Sequence, residues 1–206
     1  KLNKAKVIAT GKGNVIVEDE TGAIDFYNLV ETEFKAGDVL GGKVTGAYSE
    51  YNQLPQMVAA GELTVASDIT VTEGTAPTAT EMTVADAANF DNLFKLVTIK
   101  NVTLKADGNR FYADEEKTLQ VYDTFGLGYN LSTVTEAIDI TGVIVRYNNQ
   151  VEIAPTVDPT AIVDGINNVK VTTLNANAPM YNLAGQQVGK NYKGIVIQNG
   201  VKVVIK

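Results

Sequence analysis

Residues 17–28 read VEDETGAIDFYN, and about 95 positions further on residues 112–123 read YADEEKTLQVYD. Each stretch has an acidic run, then alternating apolar and polar residues, then Tyr followed by Asn or Asp. Alternation with a period of two marks a half-buried strand. An acidic turn leading into the same strand, written twice, predicts one domain-sized unit that has been duplicated.

The flanking segments repeat in the same order. In the first unit, AKVIATG (5–11) and NVIVED (14–19) read as strands joined by a tight turn at Gly13. AIDFYN (23–28) is the next strand, and LVETEFKAG is a polar connection. DVLGGKV (38–44) leads towards YNQ (51–53) and then QLPQMVAA. In the second unit, LFKLVTIKNVTLKA (93–106) reads as one long strand and DGN (107–109) as its hairpin turn. TFGLGYNLSTVTEA is the connection, with one helical turn or none. DITGVIV (139–145) and YNNQ (147–150) match their counterparts in the first unit. Gly41, Gly42 and Gly142 read as β-bulges or barrel corners.

About five strands per unit, with the longest irregular segment between the third and fourth, is the order of a small Greek-key barrel of the OB type. An immunoglobulin-like sandwich needs about seven strands per unit. The fold class expected is all-β: two tandem OB-like barrels plus a small C-terminal β hairpin tail. The expected boundaries are 1–66 for the first barrel and 67–92 for a linker with a short helix. The second barrel takes 93–157, a connector 158–177 and the tail 178–206. Thr83 is the expected N-cap of the linker helix. In the tail, Asn199-Gly200 reads as a two-residue type I′ turn.

Composition narrows the chemistry. The 206 residues include no Cys, no His and no Trp, and the formal net charge is -7. Thiolate and histidine zinc sites, Cys nucleophiles and a Ser-His-Asp triad are therefore excluded. Acid–base work would fall to carboxylates, Lys or Tyr. A net negative chain with no strong basic cluster meets repulsion from polyanions, so no nucleic-acid partner is expected. No stretch approaches 18 apolar residues, so no transmembrane helix is expected. The start at Lys1 reads as a processed or trimmed end.

Four tyrosines are the candidate ligand-binding residues: Tyr48, Tyr51, Tyr129 and Tyr147, at strand ends or in connections. Aromatic rings on the face of an OB-like barrel can stack on sugars or bases. Ordinary packing at a barrel end, with the hydroxyl in water, is the alternative. The acidic runs Glu18–Asp19–Glu20 and Asp114–Glu115–Glu116 have the oxygen ligands calcium takes, but lack the spacing of a calcium loop. They read as solvated turns. No catalytic residue, metal site or cofactor is expected.

The end of the chain carries a resemblance. Met180, Tyr181, Asn182, Leu183, Gly185, Gln186 and Val188, then Lys193, Gly194, Ile195, Ile197, Gly200, Lys202 and Val203, resemble the C-terminal sorting tail of secreted Bacteroidetes proteins. Val196 stands where that family most often has Tyr or Phe. The resemblance implies type IX-like export and attachment to the outer surface. The first 160 residues resemble, more loosely, tandem OB-like modules of surface proteins from the same bacteria. LFKLVTIKNVTL (93–104) is the most similar stretch.

The expected function is therefore non-enzymatic binding or adhesion, by a secreted or cell-surface protein whose partner is a glycan or another surface protein. One alternative is an accessory carbohydrate-binding region of a larger secreted hydrolase. A weaker one is an oligonucleotide-binding OB-fold protein. The sequence gives no oligomeric state.

Overall fold

In the first copy, β1 (Leu2–Gly11) turns through Lys12 and Gly13 into β2 (Asn14–Asp19). The first acidic run then carries the chain into β3 (Gly22–Tyr27). Asp19 closes that turn: its Oδ1 accepts from the Thr21 backbone N–H at 2.8 Å and from the Thr21 hydroxyl at 2.6 Å. Asp and Asn favour such turns because a short side chain can substitute for a backbone acceptor. The copy continues through β4 (Val39–Gly42), β5 (Ala47–Tyr51) and β6 (Leu54–Val58). The segment between the copies supplies β7 (Ile69–Thr72), β8 (Thr80–Glu81) and the short helix α1 (Val84–Ala87).

The computed structural model of the chain describes residues 1–65, 68–161, 179–189, 192–198 and 201–205. The second copy has β9 (Leu96–Val102), β10 (Lys105–Asp107), β11 (Arg110–Tyr112) and β12 (Leu119–Val121). A 3-10 turn at Leu131–Thr133 follows, then β13 (Ile138–Tyr147) and β14 (Gln150–Pro155). Its acidic turn uses the same device: Asp114 accepts from the Thr118 backbone N–H at 3.0 Å and from the Thr118 hydroxyl.

Each copy builds a seven-stranded mixed sheet. The first runs β5-β6-β3-β2-β1-β4-β7, with β3 and β6 parallel. The second runs β10-β11-β12-β14-β13-β9-β8, with β12 parallel to β14 and β8 parallel to β9. Neither order closes on itself through a ladder of hydrogen bonds.

The strand count exceeds the five expected per copy, for two reasons. One long strand is broken in each: β4 and β5 in the first copy, β9 and β10 in the second. Gly42 ends β4 at φ 91, a left-handed conformation that glycine adopts without steric cost. Gly142 behaves differently. It sits inside β13, where a Cβ would lie 2.5 Å from the Ala154 carbonyl oxygen, so it admits a close neighbouring strand. The second reason is that β7 and β8, both from the segment read as linker, add an edge strand to each sheet. Ile69-Thr70-Val71-Thr72 has the β-branched composition of a strand.

Thr83 caps α1: its hydroxyl oxygen accepts from the Asp86 backbone N–H at 3.1 Å and its O–H donates to the Asp86 carboxylate at 2.7 Å. Losing such a cap typically costs about 1 kcal/mol. Thr83→Ala should lower stability by about that amount in chemical denaturation, and Thr83→Ser by much less.

Each sheet buries its own apolar cluster. Val7, Val17, Phe26, Leu29 and Leu40 lie in the first; Val97, Ile99, Leu119, Ile140, Ile144 and Ile153 lie in the second. A third cluster is shared between the copies. Ile8, Ala9, Ile16 and Leu54 of the first meet Phe94, Phe125, Val143, Val145 and Ala154 of the second. Lys1–Ile162 accordingly forms one compact unit. Strand β13 explains how. Ile140 and Ile144 enter the core of its own copy, while Val143 and Val145 point to the other face and into the shared cluster.

The second compact unit is Val163–Lys206. It holds an all-antiparallel sheet of β15 (Met180–Asn182), β16 (Gln187–Val188), β17 (Gly194–Gln198) and β18 (Val201–Ile205), in the order β16-β15-β17-β18. The Asn199-Gly200 turn and most of the connector expected at 158–177 lie outside the described residues. Among the described residues, no helix is long and apolar enough to cross a membrane.

Candidate functional site

Strand β14 reads Gln-Val-Glu-Ile-Ala-Pro. Its alternation sends Val151 and Ile153 into the core and leaves Glu152 and Ala154 on the opposite face. Strand β12 does the same, with Leu119 and Val121 inward and Gln120 on the opposite face. The parallel register sets Gln120 opposite Glu152. In the first copy the corresponding rung pairs Asp25 with Gln56. Both copies thus hold one acid and one amide on the same rung, with the two residue types exchanged between strands. All four are nearly covered: Asp25 is 0% exposed, Gln56 5%, Gln120 7% and Glu152 6%.

The two pairs differ in how they are satisfied. Asp25 accepts from Gln56 Nε2 at 2.7 Å and from the Val15 backbone N–H at 3.1 Å. Burial pushes its carboxyl up to about 6, and those hydrogen bonds hold it down against that rise. Glu152 accepts no hydrogen bond from any described residue. Burial pushes it up to about 7, opposed by the nearby Arg110 guanidinium. A carboxylate removed from water without donors is expensive, which is why the proton is retained to a higher pH.

Glu152 forms part of the wall of two adjoining hollows. The larger is a groove of about 880 Å³ over the face of β11, β12 and β14. Arg110, Gln120, Tyr122, Tyr129 and the Tyr147–Gln150 turn line it, and Tyr51 reaches in from the first copy. The smaller, about 350 Å³, lies between the copies and is lined by Tyr27, Tyr51, Gln56, Tyr122, Tyr147 and Glu152, among others. Two matching turns hold the copies together at this point. The Asn148 N–H donates to the Asn52 carbonyl at 2.7 Å, and the Arg146 guanidinium donates to the Gln53 side-chain oxygen. The Tyr51 and Tyr147 rings meet edge to face with centroids 6.4 Å apart. Arg146 also lies 4.2 Å over the Phe90 ring, a cation–π contact that fixes its direction.

Three of the four sequence-predicted tyrosines come together here: Tyr51, Tyr129 and Tyr147 all line the groove. The Tyr129 hydroxyl is buried and has no hydrogen-bond partner. Burial, together with the negative charges of Asp123, Asp158 and Glu152, pushes its pKa well above the usual phenol range. Tyr48 lines neither hollow. It sits on β5, 64% exposed, and its hydroxyl donates to Glu50 at 2.7 Å. Tyr27, Tyr122, Gln120 and Glu152 were not expected at the site. The signal for the two tyrosines was their matched place after an acidic turn, Tyr27 as the last residue of β3 and Tyr122 directly after β12.

The acidic runs are tied into their own turns. Asp19 and Asp114 spend their oxygens on their own turns, and among the described residues no three carboxylates converge as a cation would require. No protein-family model matches the chain, and no curated protein matches it.

Proposed function

We propose that the protein is a non-enzymatic binding protein that takes a sugar chain in the groove of the second copy. The observation that carries this reading is the convergence of Tyr51, Tyr122, Tyr129 and Tyr147 on one groove that also holds the nearly covered Glu152 carboxyl and the unpartnered Tyr129 hydroxyl. Sugar rings offer an apolar face to stack on aromatics and hydroxyls that both donate and accept. A groove with aromatic walls and polar side chains such as Gln120 and Glu152 between them is complementary to that pattern. Nucleic acid fits less well, because Glu152 and Asp123 sit among the lining residues and Arg110 is the sole basic residue among the described ones that line the groove.

We also read each sheet as an OB-like ring. If β4 and β5 count as one bent strand, the first copy pairs in the order of a five-stranded Greek key, with its third and last strands parallel. Counting β9 and β10 as one bent strand gives the same order in the second copy. On that reading the groove occupies the middle-strand face that OB-type barrels use for oligomeric ligands. The resemblance of residues 178–206 to sorting tails supports a secreted or outer-surface setting.

The test is a glycan array, with single-stranded DNA as a parallel well. Tyr147→Ala should weaken a glycan hit by about tenfold or more, the usual scale for losing a stacking aromatic. Tyr48→Ala should leave it unchanged. Silence on all sugars, or equal loss from both variants, would remove the reading. A DNA signal that survives moderate salt would replace it.

A further inference from the structure

The two copies carry the same acid–amide rung, but only one of the two acids is already satisfied. Asp25 is held by Gln56 and by the Val15 N–H, with no exposure at all. Glu152 faces the groove with Gln120 beside it on the neighbouring strand and no donor among the described residues. The Tyr129 hydroxyl, also unpartnered, is near enough to feel its charge. The Glu152 carboxylate is nearly covered yet still opens onto the groove, so its hydrogen-bonding capacity is left for something other than the protein. A bound molecule that donates to both oxygens would fill it.

We infer that Glu152 makes the groove select uncharged, hydroxyl-rich sugars over acidic ones, by accepting hydrogen bonds from a pair of ligand hydroxyls. This rests on the reading that the groove takes a sugar. Two neighbouring hydroxyls on a pyranose ring match the two oxygens of a carboxylate. Charge-assisted hydrogen bonds of this kind are about twice as strong as neutral ones. A sugar carboxylate at the same place would meet like charge in a covered site, which disfavours it. Arg110 and Asp123 line the same groove with opposite charges, so Glu152 carries the charge that a sugar carboxylate would meet. The first copy has no equivalent capacity, because its acid is closed by its own amide.

The charged and titratable groups around Glu152 are few. Arg110 and Tyr129 share the groove, Tyr51, Tyr122, Asp123 and Tyr147 line both hollows, and Lys12, Tyr27 and Arg146 line the smaller one. Gln120 on β12 and Val145 on β13, the two residues directly opposite Glu152, carry no charge. Arg110 is the one charge found to act on Glu152 itself. Discrimination against acidic sugars should therefore fade as pH falls through about 7, where Glu152 takes up its proton.

The experiment is calorimetric titration of the full chain with tetrasaccharides of glucose, mannose and galactose, with their uronate counterparts, and with the glucosamine tetramer. Wild type at pH 8 should bind at least one neutral tetramer about tenfold or more tighter than its uronate. Glu152→Gln should collapse that ratio to within about threefold, and its ratio should not change between pH 8 and pH 5. Glu116→Gln, on the exposed acidic turn, should behave as wild type. If neutral sugars bind and depend on Tyr147 while Glu152→Gln keeps the wild-type ratio, the role of Glu152 is wrong and the sugar reading survives. Tighter binding of the glucosamine tetramer than of any neutral tetramer would make this a cation site instead. No heat with any sugar would overturn both.

Discussion

Gly11→Ala should destabilise the protein by about 3 kcal/mol or more, at the upper end of what overpacking costs. The reason lies in the shared core. A methyl group on Gly11 would sit 2.2 Å from the Phe125 carbonyl oxygen and 2.8 Å from the Phe125 Cβ. Real carbon–oxygen contacts do not approach so closely, and the offending atom is backbone, which cannot swing aside as a side-chain tip can. Phe125 is itself anchored at 5% exposure in the cluster that joins the copies. Relief therefore requires the two copies to part, exposing Ile8, Ile16, Leu54, Val143 and Val145 to water. Gly41→Ala is the control. There the new methyl meets only Thr70 Cβ, at an ordinary 3.7 Å, and the change should fall within about 1 kcal/mol of zero. Urea denaturation of both variants reads the difference. If Gly11→Ala matches Gly41→Ala, the copies are not packed against each other as described.

How far the sequence revealed this packing can be judged from single elements. The acidic turns were legible because their cause is local: an Asp accepting from a Thr two or four residues on needs no distant partner. The N-cap at Thr83 was legible for the same reason. The break between β9 and β10 was not, since Val102, Leu104 and Ala106 alternate with Thr103 and Lys105 straight through it. The shared core leaves one trace in the sequence. Val143, Ile144 and Val145 form a continuous apolar run, and a strand with one wet face alternates instead. That run says both faces are covered, but it does not say by what.

The groove was half legible. Tyr51 and Tyr147 could be singled out because each opens a Tyr-Asn turn in its copy, and those turns do meet. Glu152 could not. A Glu between Val and Ile reads as the solvated side of an edge strand. Only the register of β12 on β14, together with the first copy packed alongside, turns it into a covered acid. The exchange of Asp25–Gln56 for Gln120–Glu152 is likewise invisible until the parallel rungs are known.

That covered acid leads to the second large effect. Glu152→Gln should raise stability by about 3 kcal/mol at pH 8 and by almost nothing at pH 4. The carboxyl has an ordinary value of 4.5 and about 7 in the folded chain. A gap of about 2.5 pH units corresponds to about 3 kcal/mol. The sign follows from proton counting. Below about 4.5 the group is protonated folded and unfolded, so burial carries no charge penalty. Between about 4.5 and 7 the folded chain keeps a proton that the unfolded chain has released, and stability falls as pH rises. Above about 7 the full penalty applies. Glutamine has the same shape without the charge, and no hydrogen bond to Glu152 is lost in the exchange. Asp25 adds a second decline of the same sign between its ordinary 3.8 and about 6. Wild-type stability should therefore keep falling to about pH 7 or 8, whereas in the variant the decline should end near pH 6. The exposed Asp19, Asp107, Asp139 and Asp158 are all held below their ordinary value. Their contribution has the opposite sign and is complete by about pH 4 to 5, so it does not mask this window. Chemical denaturation of both proteins at pH 4, 6 and 8 decides it. A variant no more stable than wild type at pH 8, or one equally stabilised at every pH, would mean that water reaches Glu152 freely and that the groove floor is not covered.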